Sequence, residues 1–123
     1  MKIVIDAAQF LFERGLIDRV IVVAPEPVRG VWYDPETGEL QKHLWNDTPA
    51  WITEYHSRVR QWRWGPAIAD KDVKPLKWII TNFEFIRAYT DKNGKRIDAA
   101  LRGLLPYVTN KTLLVLDESS AIT

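Results

Sequence analysis

Three apolar runs in this chain end in polar or otherwise marked residues, and two of these ends are able to do chemistry. "LLVLDESS" (Leu113 to Ser120) closes with Asp117, Glu118, Ser119 and Ser120. "WIITN" (Trp78 to Asn82) closes with Thr81 and Asn82, and "VIVVAP" (Val20 to Pro25) closes with Ala24 and Pro25. A carboxylate at a strand exit can hold Mg²⁺ through water, and a neighbouring Glu can orient or deprotonate an attacking water. That is a Walker-B arrangement. An apolar run followed by Asp-Glu is a weak signal alone, because many strands end in acidic caps. Its value depends on whether the three ends share one edge.

They share an edge if the runs are parallel strands of one sheet, where ligands bind beyond the carboxyl ends. The intervening chain supplies candidate crossovers. Val4, Ala7, Ala8, Leu11 and Phe12 recur at helical spacing, and Gly15 stands where a helix would stop. "KIVI" at residues 2–5 is β-branched and reads equally well as a first strand. "YDPETGE" (Tyr33 to Glu39) and "DKNGK" (Asp91 to Lys95) are turn tips. Thr48-Pro49 offers an N-cap and a first-turn Pro, and Ile52, Tyr55, His56, Val59 and Trp62 behind it predict a helix. A short helix is expected around 83–89, a weak strand near 64–69, and an amphipathic helix carrying Ile97, Leu101, Leu104 and Leu105, broken near Pro106. Strands alternating with helices predict a three-layer α/β domain with a mostly parallel sheet.

Composition fits one ordinary globular domain: 123 residues, 46% hydrophobic and 27% charged, with a net charge of +1. So small a charge creates no global field toward nucleic acid or membrane. The absence of cysteine removes disulfides and thiolate metal sites. The start lacks a signal-peptide pattern and no apolar run reaches membrane-spanning length, so a cytoplasmic domain is expected.

Other chemistry-bearing residues favour plain roles. The six tryptophans (Trp32, Trp45, Trp51, Trp62, Trp64 and Trp78) suit packing better than a stacking surface, because few Lys and Arg interleave with them. His56 has no partner at ligand spacing, and His43 is placed in a loop. Arg58, Arg60 and Arg63 read as a solvated face. Thr81 and Asn82 serve equally as a helix cap or as a backbone contact.

In order and spacing the three runs resemble motifs Ia, Ib and II of superfamily-two helicases, with the likeness directed to the Swi/Snf-like branch and phage DEAD-like proteins. Trp32 falls near the aromatic expected after "AP", and Thr81, Phe83 and Glu84 match the motif Ib pattern. The resemblance implies a RecA-like first lobe that binds ATP and Mg²⁺ and moves on DNA, or less expectedly RNA. Asp117 would hold Mg²⁺ through water and Glu118 would activate the attacking water. Ser119 and Ser120 would couple hydrolysis to the next motif, and Pro25, Thr81 and Asn82 would line the nucleic-acid path.

The sequence departs from the family in two ways. "DESS" is neither DEAD nor DEAH, and no G-x-x-x-x-G-K-[ST] loop occurs anywhere. In the family, the helix after that loop reads much like "KIVIDAAQFLFERG", which tips residues 2–5 toward helix. Residues 1–123 are therefore expected to be part of an ATP-binding lobe, with the loop upstream and a Ser/Thr-Ala-Thr motif and second lobe downstream. Such a part would hydrolyse no ATP alone and would expose sheet edge, favouring self-association. The alternatives are a non-catalytic α/β module that binds protein or nucleic acid, and a complete small fold with "KIVI" as its first strand.

Overall fold

A computed structural model describes residues 1–34, 37–45, 48–56, 60–64 and 74–117, with the backbone alone for Arg29 and residues 60–64. Helix α1 (Lys2–Glu13) comes first, so "KIVI" is helical and not a strand. Ile5 and Ala8 are fully buried, Val4, Leu11 and Phe12 pack beside them, and Ile3 is 83% exposed. That one-sided burial has helical period, which overrides the β-branched composition. The helix ends where glycine predicts. The Gly15 N–H donates to the Phe12 carbonyl, the Leu16 N–H donates to the Leu11 carbonyl, and Gly15 has φ +73. This is a Schellman stop, and a side chain at Gly15 would be strained in it.

Strand β1 (Arg19–Ala24) leads through a 3₁₀ turn (Glu26–Val28) into α2 (Arg29–Tyr33) and α3 (Glu39–His43). Strands β2 (Ala50–Glu54), β3 (Arg60–Trp64) and β4 (Leu76–Asn82) follow. Next come α4 (Phe83–Ile86) and a small hairpin of β5 (Tyr89–Thr90) and β6 (Arg96–Ile97), whose tip is "DKNGK". The Asp91 carboxylate ties that tip by accepting from the Asn93 and Lys95 N–H groups. Helix α5 (Ala99–Leu104), a 3₁₀ turn (Leu105–Tyr107) and β7 (Thr112–Leu116) complete the order.

The main sheet runs β3-β2-β4-β1-β7. Strands β2, β4, β1 and β7 are mutually parallel, and β3 is an antiparallel edge. One face packs Val20, Val22, Ala24, Ile52, Leu76, Trp78 and Ile80 against α1, α2 and α3. The other packs Ile21, Val23 and Ile79 against Leu104, with Tyr55 and Ile86 beside them. Helices on both faces make three layers, the α/β architecture expected.

The helix expected after Thr48-Pro49 is a pair of strands. Ile52 and Trp62, assigned to one helix face, lie opposite each other across the β2–β3 ladder. Inside β2 the burial alternates, with Ala50, Ile52 and Glu54 inward. A period of two in a β-branched segment fits a sheet, and the Ile52/Tyr55/His56 spacing matched a helix only by coincidence. Thr48 caps no helix; its Oγ1 donates to Glu13 Oε1 at 3.4 Å. Arg60 and Arg63 therefore sit on β3, while Arg58, Val59 and most of the weak strand near 64–69 lie outside the described residues. The helix expected over 83–89 ends at Ile86, because Tyr89 joins the hairpin.

Trp32 and Trp78 are fully buried core residues, as packing predicts. His43 ends α3 instead of lying in a loop, with Nε2 3.0 Å from Glu39 Oε2. No helix among the described residues is long and apolar enough to cross a membrane.

Candidate functional site at the carboxyl edge of the sheet

The parallel registers bring the three marked strand ends to one edge. Ala24 pairs with Asn82, and Val23 with both Thr81 and Leu116. One step beyond β7, the Asp117 N–H donates to the Val23 carbonyl at 2.9 Å, which brings Asp117 opposite Ala24. Asp117, Ala24 and Asn82 thus form one row, and Pro25 follows it. The second-strand exit joins them, since the Tyr55 N–H donates to the Ile80 carbonyl at 2.8 Å.

Asp117 is buried, and its Oδ2 accepts from the indole Nε1 of Trp32 at 2.9 Å. Trp32 belongs to α2, at the far end of the excursion that leaves β1 through Pro25. A buried carboxylate needs such a donor, because burial without hydrogen bonds is costly. The sequence marked Trp32 as a family aromatic without assigning it this contact. Only the fold brings residues so far apart in sequence together.

Thr81 and Asn82 are both completely buried. Register places Thr81 beside Val23 and Asn82 beside Ala24, on opposite sheet faces. Asn82 Oδ1 accepts from the Phe85 N–H at 3.2 Å, so it does cap α4. Among the described residues Thr81 Oγ1 and Asn82 Nδ2 have no hydrogen-bond partner, and neither do Gln41 Nε2 and Trp78 Nε1 elsewhere. Buried polar atoms are almost always paired, so two adjacent orphans at one strand exit call for an explanation. Pro25 is partly exposed at the same edge.

His56 and Glu26 flank this edge from the β2 and β1 exits, 3.5 Å apart, and the His56 ring tilts against Phe85 at 4.9 Å. Neither residue was assigned to the edge from sequence; their positions just past strand ends were the available signal. Tyr55 lies between the edge and α5, donating through its hydroxyl to the Ala100 carbonyl at 2.7 Å. Desolvation, with a smaller contribution from Tyr107, raises the Tyr55 pKa, so its hydroxyl stays protonated as a donor. Glu118, Ser119 and Ser120, the expected catalytic and coupling residues, lie outside the described residues.

Asp117 suits a water-mediated Mg²⁺ contact in donor type, since Mg²⁺ takes oxygen ligands and keeps most of its waters. Among the described residues no group of three or more His, Asp or Glu side chains converges on a metal position. A triphosphate fits less well. The sequence has no phosphate-cradling loop to hold it, so no hydrolytic step follows from the residues present.

Fold and edge together define an α/β domain with a mostly parallel sheet and a polar row at its carboxyl edge. No known protein family, curated protein or solved structure matches the chain.

Proposed function

We propose that this domain is the central part of a RecA-like first lobe from an ATP-dependent DNA helicase or translocase, with nucleic acid crossing the carboxyl edge of the sheet. The observation that carries the reading is the pair of unsatisfied buried groups, Thr81 Oγ1 and Asn82 Nδ2, in the strand exit next to the Asp117–Ala24 row. A hydroxyl and an amide N–H₂ are donors suited to phosphate oxygens, the commonest contacts of nucleic-acid-binding proteins. Movement of the short α4 turn capped by Asn82 would open the Thr81 side of this exit to a ligand passing Pro25, while Asn82 faces the other side of the sheet. In the parent protein, ATP and Mg²⁺ would sit beside Asp117 and Glu118, and a second lobe would complete the site. With the phosphate loop missing from these 123 residues, the chain itself hydrolyses no ATP.

The same missing loop favours a second reading, a non-catalytic module that binds nucleic acid or protein at this edge. Fluorescence titration of the chain with labelled single-stranded DNA, with and without Mg-ATP, separates the readings. DNA binding weakened by both Thr81→Val and Asn82→Asp supports the edge as the path, and DNA binding indifferent to both removes it. Mg-ATP binding that Asp117→Asn weakens favours the motor lobe. ATP turnover by this chain that Glu118→Gln abolishes would overturn the requirement for the loop.

A further inference from the structure

The hairpin of β5 and β6 follows α4 by two residues, and α4 is capped by Asn82 on the carboxyl edge. Phe85 of α4 packs its ring against Tyr55 at 5.4 Å, so the base of the hairpin is seated on the β2 exit. Its tip is preformed. The Gly94 N–H donates to the Asp91 carbonyl at 3.0 Å, the Asp91 N–H donates to the Lys95 carbonyl at 2.9 Å, and Gly94 has φ +79. A turn followed by a left-handed glycine closes a hairpin in one register. The Asp91 carboxylate is taken up by the backbone of the same tip.

Positive charge is concentrated on this arm. Residues 87–96 carry Arg87, Lys92, Lys95 and Arg96 against one carboxylate, Asp91, while the whole chain nets only +1. All four cations are exposed. Arg96 lies 3.5 Å from Asp98, which Arg102 also holds at 2.9 Å, and the other three make no ion pair among the described residues. Tyr89, opposite Ile97 in the ladder, is 56% exposed. Cations beside an exposed aromatic ring suit single-stranded nucleic acid, where phosphates meet the charges and a base stacks on the ring. An acidic protein would meet the charges without using the ring. A membrane finds little to hold, because Ala88 and Tyr89 are the only apolar side chains in this stretch.

We propose that the β5–β6 hairpin is a separate contact for single-stranded nucleic acid, with Lys92 and Lys95 on the phosphate backbone and Tyr89 against a base. The hairpin takes the same class of partner as the carboxyl edge, but on its own charges and ring. It needs no ATP and no residue of the edge row.

The test is fluorescence anisotropy of the full chain with a labelled oligothymidine at a series of salt concentrations. Lys92→Gln with Lys95→Gln removes two charges from exposed side chains that make no ion pair among the described residues, so the melting temperature should hold. Affinity at low salt should fall at least about tenfold. The slope of log K against log salt should flatten by about 1.4, from two phosphate contacts at about 0.7 each. Tyr89→Ala should weaken binding about fivefold or more with the slope unchanged, and Tyr89→Phe should keep it. An unmodified chain that binds no DNA at low salt overturns the inference, as does a slope that the double variant leaves unchanged. Binding that polyaspartate displaces as well as unlabelled DNA does, and that Tyr89→Ala leaves intact, also overturns it, since the tip would then attract any polyanion. The edge is judged separately. Binding lost in the tip variants but not in Thr81→Val or Asn82→Asp keeps the hairpin contact and removes the edge as the path.

Discussion

Trp32 Nε1 donates to Asp117 Oδ2 at 2.9 Å, and both residues are buried. The bond ties the excursion after β1 to the exit of β7, across the row that also holds Ala24 and Asn82. It joins helix α2 to the carboxyl edge of the sheet.

Trp32→Phe keeps an aromatic side chain but removes the indole donor. Asp117 then loses a buried hydrogen bond, at a cost of about 1–3 kcal/mol beyond the lost volume. Urea denaturation should show a lower midpoint with an unchanged slope. An unaltered midpoint would mean that the bond contributes nothing to stability.

Thr81→Val replaces an unsatisfied buried hydroxyl with a methyl of the same shape. The expected result is a gain of about 1 kcal/mol in stability alongside weaker DNA binding. A loss of stability would show that the Thr81 hydroxyl has a structural partner.

Gln9 is fully buried and bridges α1 to the end of α3. Its Nε2 donates to the Ile5 and His43 carbonyls, and its Oε1 accepts from the Trp45 N–H at 2.7 Å. Gln9→Leu keeps the bulk but leaves the His43 carbonyl and the Trp45 N–H without this partner, costing about 1–3 kcal/mol. Hydrogen exchange at the Trp45 amide should accelerate in the variant, and unchanged protection would refute the bridge.

Gly103 lies under Tyr55: a Cβ there would meet the phenolic oxygen at 2.5 Å. Gly103→Ala should therefore destabilise by about 1–3 kcal/mol. Tyr55→Phe removes the offending oxygen, so the double variant should be more stable than the sum of the single effects predicts. A double-mutant cycle measures this coupling directly. Additive effects would place the clash elsewhere.

Two surface carboxylates contribute to the acid limb of stability. Hydrogen bonds from Lys2 and then Trp45 lower the pKa of Asp6 below its ordinary 3.8, and a hydrogen bond from Arg19 does the same for Asp18. With folded values below unfolded ones, their stabilisation is complete above the unfolded pKa. It is lost as pH falls through the folded values. The melting temperature should therefore hold steady down to about pH 5 and then decline. Asp6→Asn with Asp18→Asn should flatten that decline, and the effect stays small because both groups are solvent-screened.

Much of the scaffold was legible because its signals are local. "RVIVVAP", "PLKWIITN" and "KTLLVLDE" are continuous apolar runs of strand length, and all three are parallel strands in the core sheet. Gly15 ends α1, and Asn82 caps α4 as its residue type allows. The region from Thr48 to Trp64 misled because Ile52, Tyr55, His56, Val59 and Trp62 fall at helical spacing although Ala50–Glu54 alternates as a strand. Pairing with β4 decides that contest, and pairing is not written locally.

The sequence by itself determined the three strand ends, their order and the absence of a phosphate loop, because each is a matter of residue type in a short window. Tertiary structure alone decided that these ends share one edge, that Trp32 holds Asp117, and that Thr81 and Asn82 are sealed from solvent on opposite faces. Among the described residues it also left Leu114 and Leu116 exposed on β7. Those outcomes depend on register and on contacts between distant segments, where a shift of one residue would turn every side chain to the other face.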